Sequence, residues 1–476
     1  MEATTHIAIV TVPVYSHQRS ILEFCKRLVH LHQDIHITCI NPTSGPPCKN
    51  VKALFESLPS NIEHMFLPPP NLEDMLHNKP HPGLLIQVAI LRSLPSIYNA
   101  LETLHHSRSK LVAIVADGLI TEALPMAKKL NVLSYAYFPS TAMLLSLCLY
   151  APMLDKKITC EYRDLTELIE IPGCIPIHGT DLPDQFKDRS SVEYKVFLEA
   201  NERFYSADGF LINTFLDLEP VTIRAWQEKK MTSPTSVPYV YPVGPFVQGG
   251  SYDNQGKDIG YMRWLDKQEP NSVLYVSFGS GGTLTNEQTN ELAWGLELSG
   301  KKFLWVLRPP HKFNIIDEFG AENDEDPLKF LPNGFLERTQ GQGLVVPYWA
   351  AQIEILCHKA IGGFLCHCGW NSTLESIVHG IPIVAWPLFA EQKMNAAMLT
   401  NGLKVALRPK LNEKGIVERE EVADIVKNLM EGEEGKGIRK RMEKLKDDAA
   451  DAMKEDGSST RTLTQLALIW KKLRVE

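Results

Sequence analysis

Short apolar runs alternate with longer amphipathic ones along the first half of the chain. HIAIVTVPV (6–14) predicts a buried strand, and SILEFCKRLVHLH (20–32) carries apolar residues at helical spacing. DIHITCI (34–40) and LVAIVADGL (111–119) predict further strands, TEALPMAKKL (121–130) a helix and VLSYAYF (132–138) another strand. Strand–helix–strand repetition with such apolar strands implies a parallel sheet covered by helices on both faces.

The pattern restarts in the second half. SVLYVSFGS (272–280) predicts a strand, NEQTNELAWGLELSG (286–300) a helix ending at glycine, and KFLWVLR (302–308) a strand. GLVVPYW (343–349), GGFLCH (362–367) and IPIVAWP (381–387) predict strands; AAQIEILCHK (350–359) and STLESIVHG (372–380) predict helices between them. YVYPVGPFVQGGSYDNQGKD (239–258) has no helical spacing and reads as a linker, and the acidic HKFNIIDEFGAENDEDP (311–327) as a solvated loop. STRTLTQLALIWKKL (459–473) is amphipathic and is expected to pack back across the domain boundary.

The predicted fold class is α/β, two Rossmann-like domains with parallel sheets facing across a cleft. The length of 476 residues fits, because single cores stop growing near ~250–300. The expected boundaries are 1–245 for the N-terminal domain, 246–258 for the linker, 259–457 for the C-terminal domain and 458–476 for the terminal helix.

A net charge of −8 gives no reason to expect nucleic acid or an anionic membrane as partner. Nine cysteines without repeated spacing suit free thiols in a reducing, cytoplasmic setting. MEATTHIAIVTVPVYSHQ lacks the basic segment and cleavage pattern of a signal peptide and reads as a first strand. Leu130–Leu154 is free of charge, but Pro139 and Pro152 leave room for only ~18 Å of helix against a hydrocarbon core of ~30 Å. A buried helix is predicted there, and no integral membrane span.

The most informative stretch is FLCHCGWNSTLESI (364–377). Cys366, His367 and Cys368 are adjacent, so on an extended backbone their side chains alternate and cannot meet at one ion. An anion site fits better. A strand and a glycine turn lead into a helix whose N-terminus presents unpaired N–H groups, with His367, Asn371 and Ser372 at hand. Ser372 and Glu375 also spell a capping box, which needs no ligand, so both readings stand. Trp349, Ala350 and Gln352 lie at the preceding strand end, Glu391 and Gln392 beyond the following one. Together these ends offer an aromatic face, an anion turn and a carboxylate–amide pair.

The span Trp349–Gln392, WAAQIEILCHKAIGGFLCHCGWNSTLESIVHGIPIVAWPLFAEQ, resembles the signature of the plant family 1 UDP-sugar-dependent glycosyltransferases, and the domain pattern resembles their GT-B fold. Within that family the chain is most similar to the phenylpropanoid and flavonoid, hydroquinone-glucosyltransferase-like group. The resemblance implies that Trp349 stacks on uracil, that Ala350 and Gln352 contact base and ribose, and that Glu375 holds the ribose hydroxyls. By the same resemblance Ser280, His367, Asn371 and Ser372 bind the phosphates, Glu391 and Gln392 bind glucose, and Trp370 with Gln392 favours UDP-glucose. Glu391 is often Asp in the wider family.

Transfer to a hydroxyl needs a base, and a histidine's pKa suits the task. His17 follows the first strand and Asp117 ends another. An aspartate bonded to Nδ1–H would fix the tautomer and leave Nε2 to accept a proton. Read from the residues alone, both could equally be ordinary strand-end polar groups. The resemblance places the family's base and its orienting aspartate at these positions. Its usual G-H-x-x-P is here Ser16-His17-Gln18-Arg19-Ser20, which puts the placement of the acceptor in question.

No DxD pair follows a strand, so neither a metal nor a further cofactor is expected; UDP-glucose is the donor substrate. Attack opposite UDP would invert the anomeric carbon. The expected acceptor is a flavonoid, isoflavonoid or phenylpropanoid, in an apolar pocket drawn from Tyr15, Leu84, Leu119, Ser140, Thr141 and Phe186. A monomer is expected. The rival readings are a nicotinamide-dependent dehydrogenase, a nucleotide-sugar epimerase and a non-catalytic UDP-sugar- or flavonoid-binding protein. VSFGSGG does not match the G-x-G-x-x-G that the first requires.

Overall fold

The computed structural model describes residues 5–76, 82–107, 110–228, 238–247, 260–310 and 325–475. It divides into two compact units. One comprises Met1–Thr180, Gln185–Val247 and Ala449–Glu476, the other Asp181–Asp184 and Gln248–Asp448.

The first unit is built on a seven-stranded sheet of order β3-β2-β1-β4-β5-β6-β7. Its strands are β1 (Thr5–Val10), β2 (Ile35–Asn41), β3 (Ile62–Phe66), β4 (Leu111–Asp117), β5 (Leu133–Phe138), β6 (Gly209–Ile212) and β7 (Tyr239–Pro242). Every pairing is parallel. Side chains alternate faces along a strand, so each apolar run feeds two cores. Ala8, Val10, Ile114 and Ala116 pack on one face. Ile7, Ile9, Ala113 and Val115 pack on the other, where Leu463, Leu466, Ala467 and Trp470 of the helix Ser458–Val475 join them.

The uncharged run 130–154 divides into β5 and the helix Ala142–Lys157, which is buried along most of its length. The helix Pro82–His105 has no counterpart among the predicted elements. By length and composition alone its segment Leu84–His105 could span a bilayer. It packs on the sheet through Ile90, Ile97 and Leu101.

The second unit has a six-stranded parallel sheet of order β10-β9-β8-β11-β12-β13. The strands are β8 (Val273–Ser277), β9 (Lys302–Leu307), β10 (Gly343–Pro347), β11 (Ile361–Cys366), β12 (Ile383–Ala385) and β13 (Ala406–Leu407). The predicted helix 286–300 is Asn286–Ser299, capped by Gly300 in the left-handed conformation at φ +66°.

Two expectations need correction or limits. Residues 239–242 are not linker but the strand β7, whose Val240 and Tyr241 are buried against the sheet. Residues 248–258 of the predicted linker, and 311–324 of the predicted loop, lie outside the described residues.

Candidate active site

In the first sheet the winding direction reverses between β1 and β4, and ligands of such sheets bind beyond the strand ends at that switch. His17 and Asp117 stand there. Asp117 is the last residue of β4 and is buried. His17 lies in the first turn of the helix Tyr15–Leu31, which opens on the Val14 carbonyl accepting from the His17 and Gln18 N–H groups. The His17 Nδ1–H donates to both Asp117 oxygens, at 3.0 Å and 2.9 Å. The Leu119 N–H donates to the same carboxylate at 3.0 Å, fixing it from the main chain. Nδ1 is thereby committed, and Nε2 is the ring's proton acceptor. The His17 side chain is 25% exposed, so the ring is open to solvent.

The departure from G-H-x-x-P has a structural answer. Residues 16–20 are helical, and the predicted start at 20 was late because a polar first turn carries no apolar periodicity. Ser20 is buried, with its Oγ 2.8 Å from the Tyr137 hydroxyl and accepting from Asn213 Nδ2 at 3.1 Å. The helix bearing His17 is tied to β5 and to the residue after β6 at the position where the family pattern has proline.

The acceptor candidates fare unevenly. Tyr15 and Leu119 flank the pair in sequence, and Leu119 is 51% exposed. Ser140 follows β5 and is nearly buried; Leu84 is half-buried on the helix Pro82–His105. Thr141 already has a use: it caps the helix Ala142–Lys157, its Oγ1 accepting from the Leu144 N–H at 2.9 Å. Phe186 is packed in an aromatic cluster with Tyr162, Tyr194 and Phe197, so its ring serves the core.

The second sheet reverses between β8 and β11. Its strand ends share a device: Gly279 after β8, Tyr348 after β10, Cys368 after β11 and Ala390 after β12 all have positive φ, from +52° to +73°. Such residues turn the chain sharply off the sheet, and non-glycine examples concentrate at functional sites. At the reversal the His367 ring is held between two glycines. A Cβ on Gly279 would lie 2.5 Å from its Cε1, and one on Gly369 2.4 Å from its Nε2. Burial pushes the His367 pKa down to about 4, so the imidazole is neutral near pH 7. Its buried Nδ1 has no protein partner, and no protein acceptor fixes its tautomer from that side.

The helix Trp370–His379 begins here with Gly369 as N-cap and no side-chain cap. This corrects the capping-box alternative. Ser372 is the third helical residue rather than the cap, and Glu375 turns instead to Gln352. Gln352 Nε2 donates to Ser372 Oγ at 2.9 Å and to Glu375 Oε2 at 2.6 Å. Gln352, Ser372 and Glu375 thus form one cluster.

Around this centre Trp349 is 56% exposed, a large indole face presented beside buried Ala350. Ser280 is exposed in the turn after β8. Gln392 is buried, and its Oε1 accepts from the Leu388 and Phe389 N–H groups at 2.9 Å and 3.1 Å. Its Oε1 is thereby committed, and Nε2 is the donating end of the amide. Glu391 stands at the N-terminal boundary of the helix Gln392–Ala397, without a capping bond from its side chain. All nine cysteines are free thiols, and no group of His, Cys, Asp and Glu among the described residues is arranged to hold a metal.

A neutral imidazole, helix N–H groups, an exposed indole and a carboxylate–amide pair suit a nucleoside diphosphate sugar. Residues 211–450 match the family model of UDP-glucoronosyl and UDP-glucosyl transferases. The chain belongs to that family. It is 48% identical over 472 residues to the hydroquinone glucosyltransferase of Rauvolfia serpentina, covering 99% of each. Among solved structures it resembles a UDP-glucosyltransferase of Polygonum tinctorium capable of glucosylating indoxyl, in complex with 3,4-dichloroaniline. The TM-score is 0.90 at 44% identity, over 99% of this chain and 100% of that one. Phytolacca americana UGT2 complexed with UDP-2-fluoro-glucose and pterostilbene gives 0.89 at 43%, over 98% and 100%.

As a UDP-glycosyltransferase of GT-B fold, the chain carries features that sequence reading missed. Gly279 and Gly369 shape the His367 site; the runs SFGSGG (277–282) and CHCGW (366–370) were their signals. The Gln352–Glu375 bond joins residues 23 apart, and no local pattern announces it.

Proposed function

We propose that this UDP-glycosyltransferase transfers glucose from UDP-glucose to a hydroxyl of a phenolic acceptor, with inversion. The observation that carries the chemistry is the charge-assisted pair of His17 Nδ1–H and Asp117. A carboxylate behind an imidazole stabilises the imidazolium that forms when Nε2 takes the acceptor's proton. The freed oxygen attacks the anomeric carbon, the bond to the diphosphate oxygen breaks, and UDP departs. Attack opposite the leaving group converts an α-linked donor to a β-glucoside.

The growing diphosphate charge falls to the N-terminus of the helix Trp370–His379, with His367, Asn371, Ser372 and Ser280 as donors. Trp349 offers a stacking face to the base, the Ala350 main chain and Gln352 contact base and ribose, and Glu375 accepts from the ribose hydroxyls. Glu391 accepts from, and Gln392 donates to, glucose hydroxyls, with Trp370 beside them selecting glucose. Protein groups alone meet these demands.

The phenolic acceptor is supported by the relatives, named for hydroquinone and complexed with pterostilbene. Tyr15, Leu84, Leu119 and Ser140 are its proposed neighbours. The enzyme is proposed to act as a cytoplasmic monomer, with 1–245 as acceptor domain, 246–258 as linker, 259–457 as donor domain and 458–476 returning to the first.

The test is to incubate the enzyme with UDP-glucose and a panel of flavonols, isoflavones, monolignols and simple phenols. The product anomer is then read by NMR. A β-O-glucoside of at least one phenol is expected. Turnover of UDP-glucose without a phenolic product, or an α-glucoside, would overturn the proposal.

A further inference from the structure

The turn after β12 holds Glu391 and Gln392, and something must keep Ala390 in a conformation that L-residues avoid. Ala390 has φ +52° and no polar side chain to support it. Its two main-chain polar groups are both taken by one residue distant in sequence. The Ala390 N–H donates to Asp184 Oδ2 at 2.8 Å, and the Ala390 carbonyl accepts from the Asp184 N–H at 3.3 Å. Asp184 ends the segment Asp181–Asp184, which belongs to the second unit although its chain neighbours do not. The other end of the segment is anchored too: Arg408 Nη2, just beyond β13, donates to Asp181 Oδ1 at 2.8 Å. Leu182 and Pro183 between these anchors are buried.

We infer that Asp184 is a positioning residue for the donor's sugar, clamping Ala390 and through it Glu391 and Gln392. The inference rests on the reading that Glu391 and Gln392 hold glucose. The phosphate turn has a support of its own. There the His367 ring is held between Gly279, after β8, and Gly369, after β11. Loss of the clamp lets the sugar ligands move while the UDP ligands stay in place.

This separation makes the test selective. Asp184→Ala is expected to raise the KM for UDP-glucose about tenfold, equivalent to about 1.4 kcal/mol, with the inhibition constant of UDP itself within about twofold of wild type. Asp184→Asn keeps an acceptor oxygen and is expected to stay within about threefold of wild type. Arg408→Ala, which frees the other anchor, is expected to move the KM the same way by about threefold. Gln392→Ala serves as the control for the underlying reading. If it raises the UDP-glucose KM selectively and the Asp184 and Arg408 variants do not, the clamp is wrong and the sugar reading stands. If Gln392→Ala leaves that KM unchanged, the sugar reading falls and takes the clamp with it. A parallel rise in the UDP constant for Asp184→Ala marks general disruption and overturns the inference.

Discussion

The two sheets wind in the same order up to their sixth strand, yet their reversal points are furnished in opposite ways. At the first, side chains do the work: an imidazole and a carboxylate at 2.9 Å, one partly exposed and one buried. At the second, the main chain does most of it. Residues with positive φ bend each turn, a helix presents its N–H groups, and glycines leave room for a neutral histidine. A group that must gain and lose a proton needs a titratable side chain with an oriented partner. A group that only holds a diphosphate is served by fixed dipoles that need no proton.

This contrast predicts opposite sensitivities to substitution. Asp117→Ala should lower kcat on the order of 10²-fold or more, because the His17 imidazolium loses its counter-charge, with UDP binding unchanged. Steady-state kinetics beside a UDP titration check this. Gly279→Val should do the reverse. A Cβ there meets the His367 ring at 2.5 Å on a backbone at φ +73°, and UDP affinity should fall by at least about tenfold, measured by calorimetry.

A third expectation concerns pH. His367 titrates at about 4 in the fold against 6.5 unperturbed, so the unfolded chain binds the additional proton between those values. The stabilising contribution is therefore complete above pH ~6.5 and is lost as pH falls toward 4, at most about 3 kcal/mol. Thermal melts across this window should lose that part of their slope in His367→Gln. The smallest effect is expected from Ser20→Ala. It leaves the Asn213 amide one acceptor short in a buried site and should cost about 1–2 kcal/mol, read from denaturant midpoints.

The second reversal point was more legible in the sequence than the first. Trp349, His367 and Glu391 follow apolar runs closely, so the strand ends could be located and the residues after them named. His17 and Asp117 could be nominated the same way, but their contact spans 100 residues and only the fold supplies it. Ser372 with Glu375 was ambiguous because a capping box and a cluster with Gln352 share one spelling; the position of Gly369 as N-cap decides between them. Short strands such as β7 and β13 carry too few residues for a periodic signal. The Asp184–Ala390 clamp joins residues 206 apart and left no trace in the pattern.

The central claim is that proton transfer and nucleotide binding reside in different units. Its most direct test is a calorimetric titration of His17→Ala with UDP, run beside its rate of transfer to a phenol. UDP affinity within about twofold of wild type is expected, with transfer reduced on the order of 10²–10⁴-fold. Transfer at the wild-type rate, or loss of UDP binding in step with it, would contradict the account.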